Sequence, residues 1–340
     1  MKHFKAALTA SATLMAIACG AAYAETVIRV ESFLSPQHPQ NAVVLPTWAK
    51  NVEEFSEGRL KVDISYPPNV HPKTFFDRAK SGISDVTWSF HGYTPGKFVL
   101  TRLVELPGAE ASAYEASVAY QKIHEQYLDS AGEHDGVKLL SVFSHGPGVL
   151  HTREPISSIE QLDGLKVRVG GGVGGEVAKN LGIVTVAAPA TKVYEFASQG
   201  VVDGILMPME TKKSLKLSEV APHSLMLPGG FYFGSFFMVM NQAKYDGLSD
   251  EDKAAIDKAS GLALAELAGR AWAEGDQAGH DYAIAEGNTL TVANADLNAE
   301  IQAQVASVEA AWIEAANTKG LDAEAVLAAY RDEVAKLAGE

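Results

Sequence analysis

The stretch SIEQLDGLKVRVGGGVGGEVAKNLGIVTVAAPATKVYEFASQGVVDGILMP, residues 158–208, decides the fold. It reads as a strand (166–169), a Gly-rich turn, a helix (175–181), a strand (185–187), a helix (193–200) and a closing strand (204–207). Alternation of this kind implies a parallel sheet whose strand ends line a crevice. One isolated arginine, Arg168, stands at the end of the first strand. A guanidinium held there is a ready receptor for a carboxylate, because its planar fork donates two parallel charge-assisted hydrogen bonds.

The same order occurs upstream. TVIRV (26–30) reads as a strand, 41–56 as an amphipathic helix, 60–65 as a strand, 75–81 as a helix and DVTWS (85–89) as a third strand. A helix over 112–131 and a strand over 137–143 lead toward the second α/β unit, and FYFGSFFMVM (231–240) reads as an apolar strand crossing back. An Ala-rich helix is expected over 249–286, capped by Ser249, and the remainder is mostly helical. These elements predict an α/β protein of two lobes joined by a hinge of crossing strands. Lobe I takes residues 25–146 and 235–275, lobe II residues 147–234 and 276–340, and the two close on a central cleft.

Residues 1–24 begin with Lys2 and Lys5, continue through an apolar run and end in Ala22-Tyr23-Ala24. These are the parts of a secretory signal peptide, so cleavage is expected after Ala24, with export to the periplasm. Cys19 falls inside that segment, and Ala16-Ile17-Ala18 before it is a poor lipoprotein signal. The mature chain then has no cysteine, which removes disulfides, thiolate metal ligands and cysteine nucleophiles. Without Lys2 and Lys5 the balance is 26 basic to 42 acidic side chains, a formal charge of −16. Such a chain does not suit nucleic acid as a partner.

Gly170-Gly171-Gly172-Val173-Gly174-Gly175 follows a strand as the loop of a dinucleotide-binding enzyme does. The acidic residue such a loop needs about twenty positions later is missing: Ala187, Ala188 and Pro189 stand there. No nucleophile elbow and no H-E-x-x-H is present. His91, His145 and His151 show no metal-ligand spacing. No catalytic residue, metal or cofactor is therefore assigned. The glycines have a simpler use: they let backbone amides near Gly171 approach an anion beside Arg168.

TREPISSIEQLDGLKVRV (152–169), ATKVYEFASQGVVDG (190–204) and NQAKYDGLSDEDKAAI (241–256), behind a signal peptide, follow the order and spacing of one family. The chain resembles the DctP-type substrate-binding subunits of tripartite ATP-independent periplasmic (TRAP) transporters. The resemblance implies a two-lobed binder with a long hinge-spanning helix. It also implies delivery of a captured solute to a membrane permease driven by an ion gradient. Arg168 falls on the arginine that pairs with the ligand's carboxylate in that family. A second basic contact of the family falls near Gly148, and an asparagine before the proline of its VDGxxNP motif is Met207 here. Both departures point away from a highly hydroxylated sugar acid, toward a small ligand or one with a hydrophobic part.

First-lobe contacts are expected from the loops after strands one and three: Glu31 and Ser32, then Trp88, His91 and Tyr93. Tyr93 matches a position where some relatives place an aromatic against the ligand, and Phe233, Ser235 and Phe237 lie near other family contacts. Each has a structural competitor, since alternating aromatics on a strand usually pack in a core. The preferred ligand is a small monocarboxylate with an apolar or aromatic part. A zwitterion or amine, with Glu31 or Glu210 facing its nitrogen, is the alternative, and a binding protein of an ATP-driven importer is a further one.

Overall fold

The computed structural model describes residues 25–339; the expected signal peptide, residues 1–24, lies outside them. In chain order the strands are β1 (Thr26–Glu31), β2 (Leu60–Ser65), β3 (Val86–Phe90), β4 (Val137–Ser144), β5 (Gly148–Thr152) and β6 (Lys166–Val169). They continue as β7 (Val184–Ala187), β8 (Gly204–Pro208), β9 (His223–Met226), β10 (Ser235–Asn241) and β11 (Thr289–Val292). One sheet has the order β2-β1-β3-β10-β4, the other β11-β9-β5-β8-β6-β7.

In β1 alternation sets the faces: Ile28 and Val30 are buried, while Arg29 points outward to Asp85. Strand β3 lies between β1 and β10, and all five of its residues are buried. It runs parallel to β1 and antiparallel to β10, so an antiparallel pair closes the otherwise parallel first sheet.

Two chain segments pass between the sheets, from β4 into β5 and from β9 into β10. They are hydrogen-bonded to each other: Gly148 N donates to Tyr232 O at 2.7 Å and Phe231 N to Gly148 O at 3.0 Å. The third passage is the helix Leu262–Ala285, which packs on the helix Ala113–Ile123 and leads to β11. The fold is that of a two-lobed α/β binding protein with a hinge of crossing strands and a long helix beside it.

Several local expectations change. The run expected as one strand over 231–240 is extended crossover until Ser235, and only then strand. The helix expected over 249–286 is two, Asp250–Ala259 and Leu262–Ala285. Gly261, at φ +58°, ends the first and lets the second start in a new direction. The helix expected from 175 begins at Gly172, and that over 112–131 is regular only as Ala113–Ile123. The short strands β5, β9 and β11 were not anticipated; each has only four or five residues.

Candidate functional site

Where the two sheets face each other a cavity lies between them. Four of the sequence candidates line it: Tyr93, Arg168, Met207 and Glu210. Arg168 is carried by β6, whose partner β8 ends at Met207 and Pro208 and turns into Glu210. Tyr93 sits in the turn after β3.

Arg168 is 2% exposed, yet it forms no salt bridge with any described residue. Its Nε and Nη2 both donate to the carbonyl of Ala188, at 2.9 and 2.6 Å. A guanidinium has five N–H donors. Two are used on Ala188, which leaves the edge formed by Nη1 and Nη2 free to grip a carboxylate with two bonds. Burying a charge without a counter-charge is costly, so such an arginine is set for an anion that arrives from outside.

The cavity wall is aromatic. Phe90 and Phe236 stand 5.4 Å apart, Phe236 and Trp272 4.9 Å, and Phe90 meets Tyr93 edge-on at 5.2 Å. None of Phe90, Phe236, Trp272 or Tyr232 was singled out in the sequence. Phe233, Ser235 and Phe237, which were, fall on the other parity of the same segment. Side chains on a strand alternate between faces, so Phe236 enters the cavity while Phe237 packs with Phe76 and Phe98 on the opposite face. Phe233 is wholly buried in the core of the second sheet.

The remaining candidates have protein partners and do not line the cavity. Glu31 accepts two hydrogen bonds from Arg78, at 2.7 and 2.8 Å. Ser32 accepts from Trp88 Nε1 at 2.7 Å and donates to Asn41. Trp88 has no exposed surface and stacks within the first lobe's core, 4.7 Å from Phe33. His91 Nε2 lies 2.9 Å from His134 Nε2 in a buried cluster behind the Tyr93 turn. Burial holds His91 near 3 and His124 near 4, so both rings stay neutral.

Gly148 packs flat against Tyr232: a Cβ there would stand 2.3 Å from ring carbons. The space a basic side chain would need at that position is therefore filled by an aromatic ring. Gly171, at φ +104°, abuts Gly92, and a Cβ on it would lie 2.5 Å from the Gly92 carbonyl oxygen. Together with the Ala190 N–H that donates to Tyr93 Oη at 3.0 Å, this contact joins the turns of the two lobes over the cavity. The cleft is shut.

The amides at the start of the helix Gly172–Asn180 do not await an anion. Glu105 already occupies that end, accepting from Val173 N at 2.8 Å and from the Ser235 hydroxyl at 2.5 Å. Burial raises the Glu105 carboxyl to about 7, against 4.5 unfolded, although its hydrogen bonds oppose the rise. A raised carboxyl favours the folded state most below pH 4.5 and loses that advantage as pH climbs through about 7. The stability of the native protein relative to Glu105→Gln is therefore expected to fall by about 2–3 kcal/mol between pH 4.5 and pH 8. Chemical denaturation of both proteins across that range tests it, and parallel pH profiles would refute it.

At the other end of the cavity Glu210 is 2% exposed, with His38 Nε2 at 3.4 Å and the Ser214 hydroxyl donating to its second oxygen. Its backbone N–H donates to Asp276 at 2.8 Å. Burial, with the nearby Glu210 charge, pushes the Asp276 carboxyl up to about 8. His145, whose Nδ1 is 2.6 Å from Gly146 O, is held near 4 by burial and is neutral.

The family model of bacterial extracellular solute-binding proteins, family 7 (DctP), matches residues 30–315. A TRAP periplasmic solute-binding protein from Bordetella bronchiseptica with bound (R)- and (S)-mandelate is 35% identical. It has a TM-score of 0.89, over 92% of this chain and 99% of that one. A marine metagenome TRAP protein specific for aromatic acid ligands, in complex with metahydroxyphenylacetate, is 34% identical, with a TM-score of 0.86 over 92% and 99%. A third, from Rhodoferax ferrireducens T118 with copurified benzoate, is 30% identical, with a TM-score of 0.85 over 92% and 98%. With its two sheets hinged around a shut cleft and this match over most of its length, the chain belongs to the DctP family and is a solute-binding protein of the TRAP type.

Proposed function

We propose that this protein captures an aromatic monocarboxylate in the periplasm and presents it, lobes closed, to an ion-gradient-driven permease. The observation that carries the reading is a buried arginine with an open N–H edge at one end of a cavity walled by aromatic rings. The carboxylate docks on Arg168 and the ring of the ligand lies among Phe90, Phe236 and Tyr232. Excluding water strengthens the charge pair, because the surrounding medium then screens it less. The neighbours that bind mandelate, metahydroxyphenylacetate and benzoate support the same ligand class. Glu31 is engaged by Arg78, so a zwitterion would have only Glu210 for its nitrogen. In this reading the lobes meet at 146/147, 234/235 and 275/276, on the crossing segments and within the long helix.

Ligand binding and closure are linked, since contacts made only in the shut form shift the population toward it. Tyr93→Phe deletes the hydroxyl that receives the Ala190 N–H. It is expected to weaken aromatic-acid binding about three- to tenfold, the worth of one buried hydrogen bond. Calorimetry measures the affinity, and an unchanged value would show that this contact does not help hold the cleft shut. The reading as a whole is tested by thermal shift on protein stripped of copurified ligand by unfolding and refolding. Benzoate, mandelate and phenylacetate are expected to raise the melting temperature, because a ligand of the native state stabilises it by mass action. Stabilisation by a sugar acid or succinate, with the aromatic acids silent, overturns it.

A further inference from the structure

Arg168 explains one end of the cavity and leaves the other unexplained. From Arg168 the wall runs past Gly170, where a Cβ would touch both Arg168 Nη2 (3.5 Å) and Phe90 (3.1 Å). It continues through Phe90, Phe236 and Trp272 to His38, whose ring is 5.8 Å from that of Trp272. The guanidinium and the His38–Glu210 pair are thus separated by a row of rings.

The far end is rich in acceptors. Gln40 N–H donates to His38 Nδ1 at 3.2 Å, which places the proton of a neutral His38 on Nε2, the nitrogen 3.4 Å from Glu210 Oε1. Glu210 receives the Ser214 hydroxyl on one oxygen, while the His38 ring nitrogen lies 3.4 Å from the other without forming a hydrogen bond to it. A carboxylate has about four lone-pair positions, so it still has room for a donor. His145 carries its proton on Nδ1, toward Gly146 O, and its Nε2 is therefore an acceptor as well. Both groups line the cavity.

We propose that His38 and Glu210 form a hydroxyl subsite, so that the preferred ligand is an aromatic monocarboxylate bearing a hydrogen-bond donor, a phenolic hydroxyl, on its ring. The inference rests on the reading of the cavity as an aromatic-acid site and makes it narrower. A phenol donates one proton to Glu210 and adds no charge beside that buried carboxylate. A second carboxylate would face Glu210 across a buried space and is repelled. A site built to bond a hydroxyl also penalises the ligand that lacks it, because its own acceptor is left without a partner.

The test compares phenylacetate with its 3- and 4-hydroxy and 3- and 4-fluoro derivatives by calorimetry on the native protein. Fluorine is close to hydroxyl in size and has no proton to donate. At least one hydroxy acid is expected to bind about tenfold more tightly than both phenylacetate and the matching fluoro acid, the effect of a hydrogen bond to a charged acceptor. In Glu210→Gln that ratio is expected to fall below about threefold. Phenylacetate binding with no preference for the hydroxy acids overturns the subsite and leaves the aromatic-acid reading standing, as does a preference that survives in Glu210→Gln. Failure of every acid in the series to bind overturns both. The comparison on the native protein needs no variant to fold.

Discussion

Arg168→Ala is expected to weaken binding of an aromatic monocarboxylate at least about a hundredfold, while the ligand-free protein still folds. Two charge-assisted hydrogen bonds of about 1.5–3 kcal/mol each are lost together, in a site that water reaches poorly. The ligand's carboxylate would then be buried without a partner, which adds to the loss. The folded chain has less at stake. Among the described residues Arg168 holds no acidic side chain, and its hydrogen-bond acceptor is the Ala188 carbonyl. Arg168→Lys is expected to recover little, since an ammonium is a point charge and cannot present a two-pronged edge. Calorimetry on both variants decides the matter: affinities within threefold of the native value would remove Arg168 from the binding role.

The opposite signature is expected of Trp88. It stood in the sequence as a ligand contact, yet it has no exposed surface and lies between Phe33 (4.7 Å), Phe236 (5.9 Å) and Trp272 (6.3 Å). Its indole N–H is satisfied by Ser32, which is in turn tied to Asn41. Trp88→Ala opens a void among these rings and leaves Ser32 short of a donor. Truncations of this kind cost about 3–5 kcal/mol, so the ligand-free protein should melt several degrees lower. Trp88→Phe, which keeps most of the ring volume, should lose much less. A Trp88→Ala protein with unaltered apo stability and impaired binding would place the ring in the ligand's path after all. Since Trp88 touches Phe236 and Trp272, which do line the cavity, some loss of affinity is expected to accompany the loss of stability.

How much of this was legible depends on whether a residue's meaning is local. Arg168 was, because an arginine set between two valines at the end of a strand has few roles. Its lack of an acidic partner was not, because that requires knowing what every other chain segment brings near it. Over 231–240 the sequence shows aromatic residues at 231, 232, 233, 236 and 237, and β10 carries apolar residues facing both ways. A strand buried on both faces has no polar alternation to mark which face meets the cleft. Only its antiparallel pairing, Phe236 against Phe90, assigns Phe236 to the cavity. His38, Trp272 and Glu105 come from a loop after β1, the middle of a long helix and a short turn, none with a local signature. Glu105 in particular takes the helix end that the glycines around Gly171 suggest for a ligand, a meeting of residues 68 apart.

By itself the sequence determined the longer strands and helices and their order, the family and the one cation that suits an acid, because periodicity, capping residues and motif spacing act along the chain. The tertiary structure decided which aromatic rings wall the cavity, that Glu31 is committed to Arg78, and that His38 and Glu210 line the same cavity as Arg168. Those outcomes follow from strand parity and from packing between distant segments. A side chain's surroundings, and hence its chemistry, exist only once the two sheets have met.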